Sequence, residues 1–195
     1  LNSCLILYGV PQGSVAEPFK FIIYTSPLHD IATTHGLSIH MYADDTQLYI
    51  EFDLTPHSAE AAKGKMEACV TDIKKWMREN KVQLNEDKTE LIVITPSQQS
   101  SKVAMDSVKV GNCDIAPAKS ARNLGATFDE HLTLKPHVSS LVKSCNYQLR
   151  RIGQIRKYLT QEAAEKLIHA FVSSRLDNGN ALLYGLPDYQ IERLQ

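Results

Sequence analysis

The sequence predicts an α+β fold, in which a sheet with packed helices is followed, from Pro136 onward, by a separate α-helical unit. Three patterns support this prediction. Apolar residues alternate on both sides of Asp44-Asp45, and a period of two indicates a β-hairpin with one buried face. Over residues 57–80 the apolar residues recur every three or four positions, which indicates an amphipathic helix. The same spacing returns after Pro136 and again after Thr160, so two further helices are expected there.

The composition is that of an ordinary globular protein, with 43% hydrophobic and 22% charged residues in a chain of 195. No run approaches the roughly 20 apolar residues that cross a bilayer, so no membrane partner is expected. The sequence starts at Leu1 without a basic leader, which predicts a piece of something longer rather than a signal peptide. Widely spaced cysteines argue against a zinc site or a disulfide partner and fit a reducing compartment, nucleus or cytoplasm; they are Cys4, Cys69, Cys113 and Cys145.

Charge is distributed unevenly, although the net charge is only −1. Residues 1–134 contain 12 basic and 17 acidic residues, whereas residues 135–175 contain eight Lys or Arg and two Glu. An acidic front half and a basic later segment suit a protein that holds a metal ion in one place and a phosphate backbone in another. A solvated basic helix face is the alternative interpretation.

Asp44 and Asp45 are expected at or just before the turn of the predicted hairpin. Two neighbouring carboxylates repel each other unless a cation or a proton intervenes, so a hard divalent metal is a natural ligand for them. The alternative is ordinary turn chemistry, because Asp favours turns.

A turn-rich loop with Gly9 and Gly13 precedes the first predicted helix, which Ser14 and Glu17 would open as a capping box and Pro27 would end. Glycine lets a backbone approach a ligand, and a helix N-terminus can bind a phosphate. A plain junction between a loop and a helix is the alternative.

Later elements follow from capping residues and β-rich runs. Thr55 is the expected N-cap of the long helix, with Pro56 as its first residue and Trp76 in the core. A Pro/Ser/Gln-rich loop over residues 96–101 is a candidate boundary of the sheet. Strands are expected at residues 89–95, where a run of four apolar residues indicates burial, and at residues 103–110 and 123–128.

Five motifs follow one another along the chain. They are Gly9-Val10-Pro11-Gln12-Gly13-Ser14, Tyr42-Ala43-Asp44-Asp45, Trp76 with Leu84-Asn85-Glu86-Asp87-Lys88-Thr89-Glu90, Asn123-Leu124-Gly125-Ala126-Thr127-Phe128, and Ser174-Arg175-Leu176-Asp177 with Leu182-Leu183-Tyr184-Gly185-Leu186-Pro187. In this order and spacing they resemble the reverse transcriptase of non-LTR (LINE-type) retrotransposons. The resemblance covers almost the whole chain, and the order of five motifs is more specific than any one of them.

The resemblance implies a right-hand polymerase palm, an antiparallel sheet with packed helices, over residues 1–130, followed by a helical thumb or connection over residues 131–195, with the fingers absent. It implies an RNA-directed DNA polymerase that transfers nucleotides to a primer 3′-hydroxyl with two Mg²⁺ ions. The implied partners are an RNA template, a DNA primer and deoxynucleoside triphosphates. The fragment would cover the later palm motifs and the thumb.

The resemblance also implies roles for individual residues. Asp44 and Asp45 would ligate Mg²⁺ and act in catalysis, Tyr42 would pack beside the primer end, and Gln12 and Gly13 would face the incoming nucleotide.

Further roles lie later in the chain. Lys88 would donate a proton to the leaving pyrophosphate, or it is a solvated surface lysine. Residues 123–128 would correspond to the primer grip. The thumb would bind the nucleic-acid backbone through Lys143, Arg150, Arg151, Arg156 and Lys157.

Two departures from the family pattern affect the expected activity. The two-metal site needs another aspartate on a strand before the glycine-rich loop, and residues 1–8 contain none. The stretch Val15-Ala16-Glu17-Pro18-Phe19-Lys20 also replaces the usual Leu-Gly-Pro continuation. The isolated chain is therefore expected to be inactive. The main alternative is a non-catalytic nucleic-acid-binding remnant of a retrotransposon, and another is an unstable fragment that aggregates through its strand edges.

Overall fold

The structure is a computed structural model that describes residues 16–102 and 105–195. Its chain contacts divide it into two compact units. Unit 1 comprises the described residues up to Thr89 together with those between Ser101 and Ala116, and unit 2 comprises Glu90–Ser100 and Pro117–Gln195. These units do not coincide with residues 1–130 and 131–195, and the division into palm and thumb stays a prediction.

Among its described residues, unit 1 combines helices with two β-hairpins. Its elements are α1 (Glu17–Thr25), α2 (Pro27–Thr34), β1 (Ser38–Tyr42), β2 (Asp45–Tyr49), α3 (Pro56–Glu79), a 3₁₀ turn (Glu86–Lys88), β3 (Val108–Val110) and β4 (Cys113–Ile115). Thr55 caps α3 as predicted, since its hydroxyl oxygen accepts the Ser58 N–H at 3.2 Å and Pro56 follows at the first helical position. Pro27 ends α1 as predicted and begins α2. The predicted capping residue Ser14 lies outside the described residues, and the N-cap of α1 is Ala16.

The core of unit 1 joins α2, the first hairpin and α3. Its buried residues are Leu28, Ala32, Leu37, Ile39, Cys69, Ile73 and Met77. Met41, Leu48, Ile50 and Trp76 pack against them. One face of the hairpin around Asp44-Asp45 is therefore packed in the core, as its alternating pattern predicted. One face of α3 is packed there too, as its helical spacing predicted.

The strand predicted at residues 89–95 is wrong. Leu91 forms one parallel bridge with Pro117, and its carbonyl accepts the Ala118 N–H at 2.8 Å. Proline has no N–H with which to continue a ladder, so the pairing stops there. Ile94 is 50% exposed, which shows that a β-rich apolar run does not become a buried strand without a neighbouring strand to pair with.

Two other predicted strands differ in extent. The prediction for residues 103–110 is confirmed only over β3 (Val108–Val110), and residues 103 and 104 lie outside the described residues. Residues 123–128 were predicted as one strand, but they contain the turn of a hairpin formed by β5 (Ser120–Asn123) and β6 (Ala126–Asp129). Leu124 and Gly125 join these strands with φ values of 44° and 89°, and positive φ at both loop residues is the geometry of a tight type I′ turn.

Unit 2 contains the two predicted helices, the second of which is interrupted by a π-helical turn, and two short helices that were not predicted. They are α4 (Lys135–Ile155), α5 (Gln161–Ile168), α6 (Ser174–Asp177) and α7 (Asp188–Ile191), with a π-helical turn (His169–Ser173) between α5 and α6. Shorter 3₁₀ segments lie at Arg156–Tyr158, Asn180–Leu183 and Glu192–Leu194, and the 3₁₀ segment Ser97–Lys102 contains a boundary between the two units. Thr160 caps α5 by accepting the Ala163 N–H at 3.2 Å. Leu141, Cys145 and Val172 form a buried cluster against which Leu176 and Leu194 pack.

The mixed α+β class is confirmed, and the strand ladders of the described residues are antiparallel. The expected single sheet is replaced, among the residues that the structure describes, by three separate two-stranded ribbons. No helix in the described part of the chain is long and apolar enough to span a membrane.

Candidate active site

The turn of the first hairpin presents the two predicted metal ligands. Tyr42 pairs with Asp45, so Ala43 and Asp44 form a two-residue loop between β1 and β2. Ala43 has a φ of 53°, a left-handed conformation that is uncommon for a residue with a side chain. Tyr42, Asp44 and Asp45 are exposed. The turn therefore offers two carboxylates to solvent at the end of the hairpin.

The core of unit 1 fixes the hairpin behind this turn. Ile39 pairs with Leu48 across the ladder, and both side chains pack on the cluster formed with α2 and α3. His40 and Tyr49 meet on the opposite face, with ring centroids 6.1 Å apart. Because side chains alternate along a strand, burying one set fixes the direction in which the turn points.

The chemistry of the two acids fits Mg²⁺. No group of three His, Cys, Asp or Glu side chains that could hold a metal ion occurs among the described residues. Mg²⁺ is usually held by one or two carboxylates together with water and substrate phosphates, rather than by a complete protein cage. Asp44 and Asp45 can therefore serve as the protein ligands of an ion that a bound substrate also coordinates.

Lys88 lies at the end of the 3₁₀ turn Glu86–Lys88, and its side chain is exposed. Asn85 caps this turn, since its side-chain oxygen accepts the Lys88 N–H at 3.3 Å. The Glu86 carboxylate accepts a hydrogen bond from the Lys74 ammonium of α3. This bond holds the pKa of Glu86 below its usual value. The turn that bears Lys88 is thus tied to the long helix.

Glu86 also accepts a bond from the thiol of Cys113 in β4, with a sulfur–oxygen distance of 3.6 Å. The hydrogen bond to the carboxylate raises the pKa of Cys113, because ionising the thiol would remove the donor and place two negative charges together. Glu86 therefore links α3, its own turn and the second hairpin.

The predicted nucleic-acid-binding residues all belong to unit 2. Lys143, Arg150 and Arg151 are exposed on α4. Arg156 and Lys157 are exposed in the 3₁₀ turn that follows α4. We name these five residues together with Tyr147 and Tyr158 the α4 stripe.

Two contacts within the α4 stripe were not predicted. The Arg151 guanidinium lies 5.7 Å from the Tyr147 ring centroid, and its Nη1 donates to the Tyr147 hydroxyl at 3.1 Å. The Lys157 ammonium lies 4.8 Å from the Tyr158 ring centroid. The sequence signal for the first contact was the four-residue spacing of Tyr and Arg on a predicted helix.

The structure thus brings Tyr42, Asp44 and Asp45 together in one turn and places Lys88 on a separate turn of the same unit. Gln12 and Gly13 lie outside the described residues, so their predicted place beside the acids stays a prediction.

Comparison with known proteins decides the family. A profile of the family described as "Reverse transcriptase (RNA-dependent DNA polymerase)" matches residues 4–128, which is more than half of the chain. The chain belongs to the reverse transcriptase family. This family generally uses Mg²⁺ and binds an RNA template, a DNA primer and deoxynucleoside triphosphates, and its domain implies a polymerase palm.

Two curated relatives agree with this reverse transcriptase assignment. The chain is 28% identical over 164 residues to "Probable RNA-directed DNA polymerase from transposon BS" of Drosophila melanogaster, an alignment that covers 82% of this chain and 17% of the relative. It is 24% identical over 158 residues to "Retrovirus-related Pol polyprotein from type-1 retrotransposable element R1" of Nasonia vitripennis, covering 79% of this chain and 44% of the relative. No solved structure matches. The resemblance to non-LTR reverse transcriptases is confirmed, and the chain spans less than half the length of either relative.

Proposed function

We propose that this chain supplies the acidic turn and the nucleic-acid-binding helices of an RNA-directed DNA polymerase from a non-LTR retrotransposon. The single observation that supports this function is the β1–β2 turn. There Asp44 and Asp45 are adjacent, exposed and fixed by a buried hairpin face. Because the chain belongs to the reverse transcriptase family, which generally uses Mg²⁺, these two acids are candidate metal ligands.

In this proposal the two carboxylates hold Mg²⁺ at the primer end. The ion would lower the pKa of the primer 3′-hydroxyl and neutralise charge on the triphosphate. Tyr42 flanks the acids and would pack beside the primer end, while Gln12 and Gly13 would contact the incoming nucleotide. Lys88 would donate a proton to the departing pyrophosphate. The division into palm and thumb belongs to the same proposal.

Metal binding at the turn can be tested on the 195-residue chain itself. Mn²⁺ is a paramagnetic ion that also prefers carboxylate oxygens, and we expect it to broaden the amide NMR signals around Tyr42–Asp45 first. Asp44→Asn together with Asp45→Asn should abolish this local broadening. Asp114→Asn is the matched control, because Asp114 is an exposed aspartate on another hairpin. Equal broadening at both hairpins, or no effect of the double substitution, would remove the support for the metal site.

Primer extension tests the catalytic part of the proposal. Because the resemblance requires a further aspartate that residues 1–8 do not supply, the chain alone should incorporate no nucleotide. In the longer protein that contains this chain, Asp44→Ala should abolish incorporation and Asp114→Ala should leave it unchanged. Robust incorporation by the chain alone would show that the further aspartate is not needed.

The second candidate function is a non-catalytic nucleic-acid-binding remnant. Five exposed basic residues on α4 and in the turn after it favour it, because they can bind a phosphate backbone without a metal ion. A remnant would bind nucleic acid with a steep salt dependence and would be indifferent to Mg²⁺ and to Asp44→Ala. Filter binding with and without Mg²⁺ separates the two functions.

A further inference from the structure

We propose that the α4 stripe binds single-stranded nucleic acid by stacking unpaired bases on Tyr147 and Tyr158. This inference rests on the proposed function in one respect, namely that the ligand is a nucleic acid. It adds two residues and a strandedness preference that the resemblance does not supply.

The first observation is the exposure of the two rings. Tyr147 is 55% exposed and Tyr158 is 76% exposed, although both lie beside a helix whose other face is buried. Val138, Leu141, Cys145 and Ile152 form that buried face. Tyr147 therefore points away from the packed side of α4, and Tyr158 is exposed in the 3₁₀ turn that follows, so a ligand can reach both rings.

The second observation is that a cation covers one face of each ring. The Arg151 guanidinium lies over the Tyr147 ring and donates to its hydroxyl, and these two contacts restrict the orientation of the ring before any ligand arrives. Lys157 stands over Tyr158 in the same way. A ring that is already ordered loses less side-chain entropy on binding, and its second face remains available for stacking.

The third observation is the spacing of the two tyrosines. Tyr147 lies on α4 and Tyr158 lies eleven positions later, in the 3₁₀ turn Arg156–Tyr158, so their Cα atoms are within about 20 Å of each other at the rises of the two helix types. Lys143 lies one turn before Tyr147, and Arg150 lies between the two rings. A strand that runs along α4 and the turn after it can reach both rings and the basic residues between them.

Charge identifies the occupant as an anion. The sequence contains no acidic residue between Glu130 and Glu162, so nothing on α4 opposes a polyanion. Arg175 and Arg193 add positive charge, since they donate to Ser144 and Ser139 of α4 at 2.6 Å and 3.2 Å. Unpaired bases are favoured because a duplex hides its base faces, whereas a single strand offers them to aromatic rings.

The test measures fluorescence anisotropy of a labelled oligothymidylate of about 15 nucleotides, which spans both rings even at the 3.4 Å rise of a stacked strand. Tyr147→Ala and Tyr158→Ala should each weaken binding by about five- to 150-fold, the range measured for the loss of one stacked base. Tyr184→Ala is the matched control, because Tyr184 is 94% exposed outside the α4 stripe. Circular dichroism of each variant establishes that it is folded.

Salt dependence separates stacking from charge. The tyrosine variants should keep the wild-type slope of log affinity against log salt, whereas Lys143→Ala should reduce that slope by about 0.7. A duplex of the same length should bind with little sensitivity to either tyrosine. Polyglutamate should compete poorly, since it offers charge without bases.

Three results would overturn the inference. They are unchanged single-strand binding in both tyrosine variants, equal losses with the duplex, and displacement by polyglutamate at the same charge concentration. The first two would leave the proposed polymerase function intact, because duplex binding and Mn²⁺ binding at Asp44 and Asp45 are measured separately. If the chain binds neither duplex nor Mn²⁺ but still binds a single strand through the two tyrosines, the polymerase function is wrong and this inference stands.

Discussion

The Asp129 carboxylate accepts the backbone N–H of Leu134 at 2.8 Å, and this bond joins the end of β6 to the start of α4. Its other oxygen accepts the N–H and the hydroxyl of Thr133, at 3.1 Å and 2.9 Å. Leu132 and Leu134 both have positive φ, at 51° and 55°, so the loop between them is tightly bent. Asp129 is buried, and the bend depends on it.

Asp129→Ala should lower the free energy of unfolding by about 3 kcal/mol, because hydrogen bonds to a charged group contribute more than neutral ones and the N–H groups of the buried Leu134 and the half-buried Thr133 lose their acceptor. Denaturant unfolding followed by circular dichroism measures the loss. Asp177→Ala, at an exposed aspartate of α6, should change stability by less than about 0.5 kcal/mol. Equal effects of the two substitutions would contradict the role of Asp129.

Asp129 also predicts a loss of stability in acid. Burial raises the pKa of its carboxyl, but the bonds from Thr133 and Leu134 outweigh burial and hold the pKa below its usual value. A lowered folded-state pKa means that the stabilisation is present above the unfolded pKa of about 3.9 and is lost as the pH falls through the folded value. The stability difference between wild type and Asp129→Asn should be constant from about pH 7 to about pH 5 and shrink below about pH 4. A difference that grows in acid would reverse the sign assigned here.

Gly111 has a φ of 63°, and a Cβ there would overlap the Lys74 ammonium and the Glu86 carboxylate. Gly111→Ala should lower the free energy of unfolding by about 1–3 kcal/mol through strain and displacement of that ion pair. Gly64→Ala is a control of opposite sign. Gly64 lies inside α3, and a Cβ there meets nothing within 4 Å among the described residues, so the helix should gain about 0.5–1 kcal/mol. Thermal unfolding of the two variants checks both signs.

Glu86→Gln should speed the alkylation of Cys113. The carboxylate raises the pKa of this exposed thiol, so removing its charge increases the thiolate fraction at neutral pH. Iodoacetamide labelling followed by peptide mass spectrometry gives the rate at each cysteine. The buried Cys69, whose pKa burial raises to about 11, serves as the internal control and should stay slow in both proteins. A slower Cys113 in the variant would argue against the Glu86 contact.

Sequence patterns correctly predicted the elements in which the spacing of apolar residues matches the face that is buried. The first hairpin and α3 were predicted because Ile39, Leu48 and Ile73 fall on a period of two or of 3.6 that a core can use. Residues 89–95 misled the prediction, because β-propensity describes a residue's fit to a sheet but not whether a partner strand exists.

The site was predictable to a different degree. The adjacent acids and the basic helix could be read from residue types and motif order, as the Asp44 turn and α4 illustrate. The anchoring of Asp129 could not be predicted, since it depends on the positive φ values of Leu132 and Leu134. The orientation of Tyr147 by Arg151 likewise needed side-chain coordinates, because a four-residue spacing permits this contact without requiring it.

The three ribbons of the described structure have a consequence for the acidic turn. A two-stranded ribbon keeps a row of backbone N–H and C=O groups along each outer margin, and such a margin can accept an added strand. A strand added alongside β1 or β2 would widen the platform behind Asp44 and Asp45 and stiffen it through main-chain bonds alone. Such a strand would change how rigidly the two carboxylates are held without changing any side chain near them.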